Sequence, residues 1–322
     1  MTEMVYGSMP GKVSEPVLPR WWRTIDRWSM TAIFALFGIG ILLGLAASVP
    51  LAQRNGLDVF FYVQRQVFFG SMGLAAMLGI SMLPPAMVRR LGVLGFLGAF
   101  LALALLPVVG TDYGKGAVRW ISMGFASIQP SEFLKPGFII LTAWLMAASQ
   151  EVNGPRGKSL SFAITVIIVF LLAMQPDFGQ AALIIFGWGV VYFIAGAPMV
   201  LIGTVMGMVG AGAMFAYSAS EHFAKRINGF LSPDVDPRTQ LGYAANAIQE
   251  GGFFGVGVGE GQVKWSLPDA HTDFIIAVAA EEYGLVLVLV IIALYTLIVT
   301  RSLFRLMRER DPFTRLAGSG LA

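Results

Sequence analysis

The sequence predicts an all-α polytopic membrane protein, and three observations carry that prediction. Hydrophobic residues fill 56% of its 322 positions and charged residues only 13%, against about 25% charged in soluble domains. Mean hydropathy is +0.72. The apolar residues also gather into continuous runs near the ~20 residues that a helix needs to cross hydrocarbon, without the alternation of barrel strands.

The runs cover about eight spans, at 28–50, 60–83, 92–110, 130–149, 160–175, 178–196, 198–219 and 273–299. Before them lies a polar tail, 1–27, that ends in Trp21, Trp22, Arg23 and Arg27. The first run is longer than the ~7–15 residues of a signal-peptide core, so it reads as a retained span with the Trp pair at the interface. The fifth and sixth runs nearly abut across Gln175-Pro-Asp-Phe-Gly-Gln180, where Pro176 and Gly179 mark a tight turn. Residues 28–299 form the transmembrane core. Residues 300–322 read as a cytoplasmic loop and the start of a ninth span near Leu316.

Basic residues set the orientation. Of the 22, 13 fall on one side: Lys12, Arg20, Arg23, Arg27, Arg89, Arg90, Arg156, Lys158, Arg301, Arg305, Arg308, Arg310 and Arg315. They lie in short segments beside span ends, which makes the N-terminus cytoplasmic. The remaining basic residues, among them Arg54, Arg65, Lys115, Arg119, Lys135 and Lys264, fall on the outer side or in flanking spans. Their placement opposes the rule and calls for another cause, such as an anionic ligand. The net charge of +3 reflects topology and does not indicate nucleic acid. With no cysteine, disulfides and thiol chemistry are excluded, and two isolated histidines argue against a His-rich metal site.

A large outer loop, 220–272, precedes the eighth span. Ser232-Pro-Asp-Val-Asp-Pro237 reads as turns and Tyr243–Glu250 as a short helix. Gly251-Gly-Phe-Phe-Gly-Val-Gly-Val-Gly-Glu-Gly261 lacks the order of a dinucleotide fingerprint. It reads either as tight turns with close backbone approach or as N–H groups presented to phosphate.

Several ionisable residues lie where hydrocarbon makes them costly. Glu132 and Lys135 share a helix face, as a mutually neutralised pair or as a polar cavity wall. Arg65 and Arg119, with Lys115, suit either headgroups or a pyrophosphate. Asp177 is a turn or N-cap residue. Asp273, where the eighth span begins, is either that helix's N-cap or a base tuned by the helix dipole and desolvation. On an ideal helix Glu281 lies roughly 80° around from Asp273 and ~12 Å deeper, and Glu282 faces nearly opposite. Neither forms the ~5–10 Å carboxylate pair of a glycosidase with it, so both read as structural or lining groups.

Leu267-Pro-Asp-Ala-His-Thr-Asp-Phe-Ile with Ala280-Glu-Glu-Tyr-Gly284 closely resembles the signature of the SEDS family, the FtsW/RodA peptidoglycan polymerases. Arg119-Trp120-Ile121 with Gln129-Pro-Ser-Glu-Phe-Leu-Lys135, then Gln175-Pro-Asp-Phe-Gly179, then Gly251-Gly-Phe-Phe-Gly-Val-Gly257 resemble its other motifs in family order. Pro-Asp-Ala-His-Thr-Asp-Phe and the Trp-rich entry look more like the division members, FtsW, than the elongation members, RodA. The resemblance implies a ten-span fold and polymerisation of lipid II into β-1,4 glycan on the outer face of the bacterial inner membrane, at the septum. Asp273 would be the general base, supported by His271, Thr272, Asp177 and Glu281. Arg65, Arg119, Lys135 and Glu132 would bind substrate. It allows a divalent cation, Mg or Mn, and implies a class B penicillin-binding protein and other division membrane proteins as partners. The family continues through a ninth and a tenth span, so the resemblance also implies that the chain ending at Ala322 is incomplete. A lipid II flippase and a non-catalytic division scaffold are the competing readings; broken helices with ionisable residues suit the former.

Overall fold

The computed structural model describes residues 17–111, 118–124, 127–196, 198–219, 221–231, 239–267 and 270–322. Lys115, the expected turns at 232–237, and Pro268 and Asp269 of the signature lie outside the described residues. In chain order the helices are α1 Val17–Thr24, α2 Arg27–Arg54, α3 Phe61–Ser81, α4 Pro85–Val109, α5 Pro130–Ala148, α6 Gly157–Met174, α7 Phe178–Ile194, α8 Met199–Ala219, α9 Glu221–Leu231, α10 Gln240–Gly251, α11 Val263–Ser266, α12 Ile275–Leu306 and α13 Pro312–Leu321. A small hairpin pairs β1 Ile121–Ser122 with β2 Ser127–Ile128 between α4 and α5. Each of the eight apolar runs is helical. Among the described residues α2, α4, α6 and α12 are both long and apolar enough to cross a membrane, and α7 is a shorter apolar helix. The chain is a multi-pass membrane protein.

The starts of these helices follow from local chemistry. Pro85, Pro130 and Pro312 open α4, α5 and α13, where a missing N–H costs nothing. Asp311 caps α13 by accepting the Thr314 N–H at 2.9 Å. The outer loop holds more helix than its polarity suggested. α9 has no long apolar run to announce it, but Phe223 on one face packs edge-on against Phe178 at 5.6 Å.

The spans pack in two groups. One surrounds α5, whose Leu134, Phe138, Ala143 and Met146 are fully buried, with α4, α6, α7 and α13 around it. Helices α4 and α5 cross closely: a Cβ at Gly137 would lie 2.8 Å from the backbone of Gly92 and Phe96. The other group sets α2 against α12 with α10 and α11 alongside. Ala47 of α2 is buried with Ala247, Leu267, Ala270, Ala277 and Val278, and Leu43 of α2 with Ala279 and Ile291 of α12. α13 follows α12 and packs on α5 and α7, joining the groups.

At the end where the chain enters, Asp26 accepts two hydrogen bonds from Arg301, each 2.9 Å, and Arg305 lies 3.6 Å away. These bonds hold the Asp26 carboxyl well below its ordinary range. They also fix the start of α2 to the end of α12, so the two run antiparallel. At the opposite end the Arg54 side chain donates to the Trp265 carbonyl. One end of α2 is thus tied to α12 and the other to α11.

One expectation needs correcting. The eighth span is not a single helix. Gly284 has φ 77° and ψ −177°, which breaks α12 into an outer piece, 275–283, and an inner one, 285–306. A continuous helix would bond the Leu285 and Val286 N–H groups to the Glu281 and Glu282 carbonyls. Instead Leu285 donates to Gly252 O at 2.9 Å and Val286 to Phe253 O at 3.3 Å, while Val256 donates to Glu281 O at 2.9 Å and Gly257 to Glu282 O at 3.2 Å. The glycine-rich run is spliced into the break and satisfies all four groups. This requires glycine. Gly255 has φ 81°, and a Cβ there would lie 2.2 Å from Glu282 O; a Cβ at Gly251 would lie 1.9 Å from Ala280 O. The run is accounted for by close backbone approach.

Gly255→Ala is accordingly expected to cost about 1–3 kcal/mol from backbone strain alone, read as a lowered melting temperature of the purified protein. Gly38→Ala, with nothing within 4 Å of the added Cβ, is expected to leave that temperature unchanged or slightly raised.

Candidate active site

Asp273 lies in the turn 270–274 that leads into α12. The N-cap position belongs to Phe274, one residue later than the sequence suggested, so Asp273 does not cap the helix. Its side chain is exposed and makes no hydrogen bond or ion pair among the described residues. The turn is pinned from beneath by apolar side chains: Leu267, Ala270, Ala277 and Val278 are buried with Ala47 of α2 and Ala247 of α10. The His271 ring stands 5.5 Å from that of Tyr62 on α3, and Thr272 is exposed beside it. A cavity of ≈ 190 Å³ beside the turn is lined by Pro50, Leu51, Arg54, Lys264 and His271 among others.

Arg65 follows Tyr62 by three residues, which puts both on one face of α3 and brings Arg65 to the side that meets His271. Its guanidinium also lies 5.7 Å from the Phe61 ring and 5.8 Å from the Phe69 ring.

A second polar group forms where α5 begins and α6 turns into α7. Lys135 pairs with Glu132 at 2.7 Å, and Gln180 of α7 donates to Glu132 at 2.6 Å. Arg119 donates to the Pro176 carbonyl at 2.6 Å and lies 3.8 Å from Asp177. Asp177 occupies the N-cap position of α7, yet its side chain makes no capping bond; it faces Arg119 instead. No hydrogen bond or ion pair among the described residues joins this group to the Asp273 turn. Arg119 and Lys135 thus have their direct partners within this second group.

Behind the turn, Glu281 and Glu282 are both 1% exposed. Glu281 Oε1 accepts the Gln262 N–H at 2.5 Å and the Val263 N–H at 2.8 Å, covering the start of α11. Glu282 pairs with Lys264, which is itself buried and donates to Gly259 O at 3.2 Å. Glu281 is thus a structural carboxylate. Lys264 escaped the sequence reading as a site residue. The only signal for it was its place among basic residues on the wrong side. Arg54, Arg119, Lys135 and Lys264 all spend their charge on carbonyls or carboxylates of this chain, so much of the outer basic excess needs no ligand to explain it. Among the described residues no three His, Asp or Glu side chains gather as a metal site. A protein-only cage for Mg or Mn does not fit them.

Residues 27–322 match the family model for the cell cycle proteins FtsW, RodA and SpoVE. The chain belongs to the FtsW/RodA/SpoVE family. A relative from Caulobacter vibrioides, named a probable peptidoglycan glycosyltransferase FtsW, is 40% identical across 96% of this chain and 80% of its own length. Another of that name, from Halorhodospira halophila, is 33% identical across 91% and 76%. Among solved structures, one described as the structural coordination of polymerization and crosslinking by a peptidoglycan synthase complex is 26% identical, with a TM-score of 0.71 over 93% of this chain and 83% of that chain. The rod shape determining protein RodA of Thermus thermophilus has the same fold, at 24% identity and a TM-score of 0.65 over 93% and 81%. Family membership accounts for the order of the motifs along the chain, and the geometry separates those motifs into two polar groups with distinct partners.

Arg119→Ala is expected to destabilise the protein more than Asp177→Asn, because it also removes the donor to the Pro176 carbonyl. Their double-mutant coupling, from melting temperatures, should stay within ~1 kcal/mol for so long and partly exposed a pair.

Proposed function

We propose that this FtsW/RodA/SpoVE member is a peptidoglycan glycosyltransferase that polymerises lipid II into β-1,4 glycan for septal wall synthesis, with Asp273 as general base. The observation that carries the reading is a free carboxylate, exposed and without a partner among the described residues, at the mouth of a helix in a chain 40% identical to a relative named for that activity. In the proposed reaction the 4-hydroxyl of the acceptor's glucosaminyl unit attacks the anomeric carbon of the donor. Asp273 takes the hydroxyl proton. The new C–O bond forms opposite the departing undecaprenyl pyrophosphate, which leaves with the bonding electron pair, and the α-linked donor becomes a β-linked product.

Arg65 is the candidate for offsetting charge on that pyrophosphate, since it shares the face of α3 that meets His271. Glu132, Lys135 and Arg119 are assigned to a second contact with the lipid-linked sugars, away from the proton transfer. Any divalent cation would arrive with the pyrophosphate, as Mg²⁺ commonly does, and no step here depends on one. We place the enzyme in the bacterial cytoplasmic membrane with a class B penicillin-binding protein and other division proteins as partners. The peptidoglycan synthase complex with a similar fold supports the former.

The broken helix that favours a flippase has its freed backbone groups paired with the glycine-rich run, leaving none to line a passage. The test is Asp273→Asn in purified protein with fluorescent lipid II. Polymer formation is expected to fall by about 10²–10⁴ while lipid II binding stays within a few-fold. Unchanged polymerisation would remove Asp273 from the chemistry.

A further inference from the structure

Asp273 reacts, on the reading above, from a position that its own side chain does nothing to hold. The chain on either side must fix it. After Asp273 the backbone enters the outer piece of α12. Before it, residues 262–264 are tied to that same piece two turns deeper: Glu281 Oε1 takes the Gln262 and Val263 N–H groups, and Lys264 pairs with Glu282. The signature turn is thus a loop whose two ends are fastened to one nine-residue helix, 275–283, bounded by the break at Gly284. The fit beneath is close, since a Cβ on Gly261 would lie 2.8 Å from the Glu281 carboxyl carbon. Glu281 and Glu282 each use one oxygen; the Oε2 atoms are buried with no partner among the described residues. Two carboxylates buried in this way are costly where apolar side chains would pack, and what they provide is a fixed spacing between the outer helix and the segment entering the turn.

We infer that Glu281, with the Lys264–Glu282 pair, is a positioning residue for Asp273. The inference rests on the polymerase reading for its kinetic consequence and on geometry alone for its structural one. Glu281 acts through a single acceptor oxygen, so its charge is dispensable and its carbonyl is not. Glu281→Gln keeps that oxygen and Glu281→Leu removes it. Glu282→Gln leaves Lys264 without its counter-charge.

The absence of cysteine allows a nitroxide to be placed at Asp273→Cys, with Ser122→Cys in the β1–β2 hairpin as reference, since no hydrogen bond or ion pair among the described residues joins Ser122 to residues 262–264 or 275–283. Glu281→Leu and Glu282→Gln are expected to sharpen the spectrum at 273 and leave that at 122 unchanged, whereas Glu281→Gln leaves both unchanged. With Asp273 restored, Glu281→Leu is expected to lower kcat for lipid II polymerisation about 10- to 100-fold, the scale of a small misplacement of a reacting group, with KM within twofold. Glu281→Gln should stay within threefold of the parent. An unchanged spectrum at 273 in both disruptive variants overturns the inference, as do equal changes at 273 and 122, or a Glu281→Gln enzyme as inactive as Asp273→Asn. If the parent makes no polymer, the polymerase reading fails, and the spectra still decide whether these groups hold the turn.

Discussion

A helix that breaks inside a bilayer must have every freed N–H and C=O group paired by protein, because hydrocarbon offers no replacement and each orphan costs several kcal/mol. That constraint organises the outer half of this molecule. Gly284 frees two donors and two acceptors, and residues 252–257 return two acceptors and two donors to meet them. Close backbone approach at Gly251 and Gly255, with positive φ at Gly252, Gly255 and Gly257, follows from that exchange. So does the isolation of 275–283 as a short helix that can carry a loop on its end. The buried carboxylates at 281 and 282 then fasten the loop down, and the Asp273 turn is what the assembly holds out to the surface.

The rest of the fold supports this arrangement from two sides. The α2–α12 pair is tied by Asp26 and Arg301 at one end, Arg54 of α2 donates to Trp265 of α11 at the other, and Leu43, Ala279 and Ile291 are buried between the two helices. The α5-centred group carries its own polar cluster, in which Glu132 links α5 to α7 and Arg119 holds the α6–α7 turn. The two polar groups are separately wired. On the proposed reading the first group carries the base, and the second, with its charges paired within the chain, is a separate contact for substrate.

Much of this was legible in the sequence. Hydropathy located the eight long helices because their apolar faces exceed anything a soluble core requires. The signature drew attention to Asp273, and helix spacing separated it from Glu281 and Glu282. Three things were hidden, each for a physical reason. The break at Gly284 sits in an apolar stretch that reads as helix, since the groups satisfying it come from residues about thirty positions earlier. The N-cap of α12 moved to Phe274 because cap geometry depends on the turn that precedes it. Lys264 looked like a misplaced surface charge, and only the fold reveals that it meets Glu282. The Glu132–Lys135 pair was legible from its spacing, whereas the Arg119 contact with the Pro176 carbonyl joins segments far apart in the chain.

The central claim is that the glycine-rich run replaces the helix's own hydrogen bonds at the break. Amide hydrogen exchange of the intact protein in a lipid bilayer tests it most directly, at Leu285, Val286, Val256 and Gly257. The account predicts that all four are protected and open together, at one rate, and that Gly255→Ala raises that rate for all four. Free exchange at Val256 and Gly257 beside a protected Leu285 and Val286 would mean that α12 closes its own hydrogen bonds, and would contradict it.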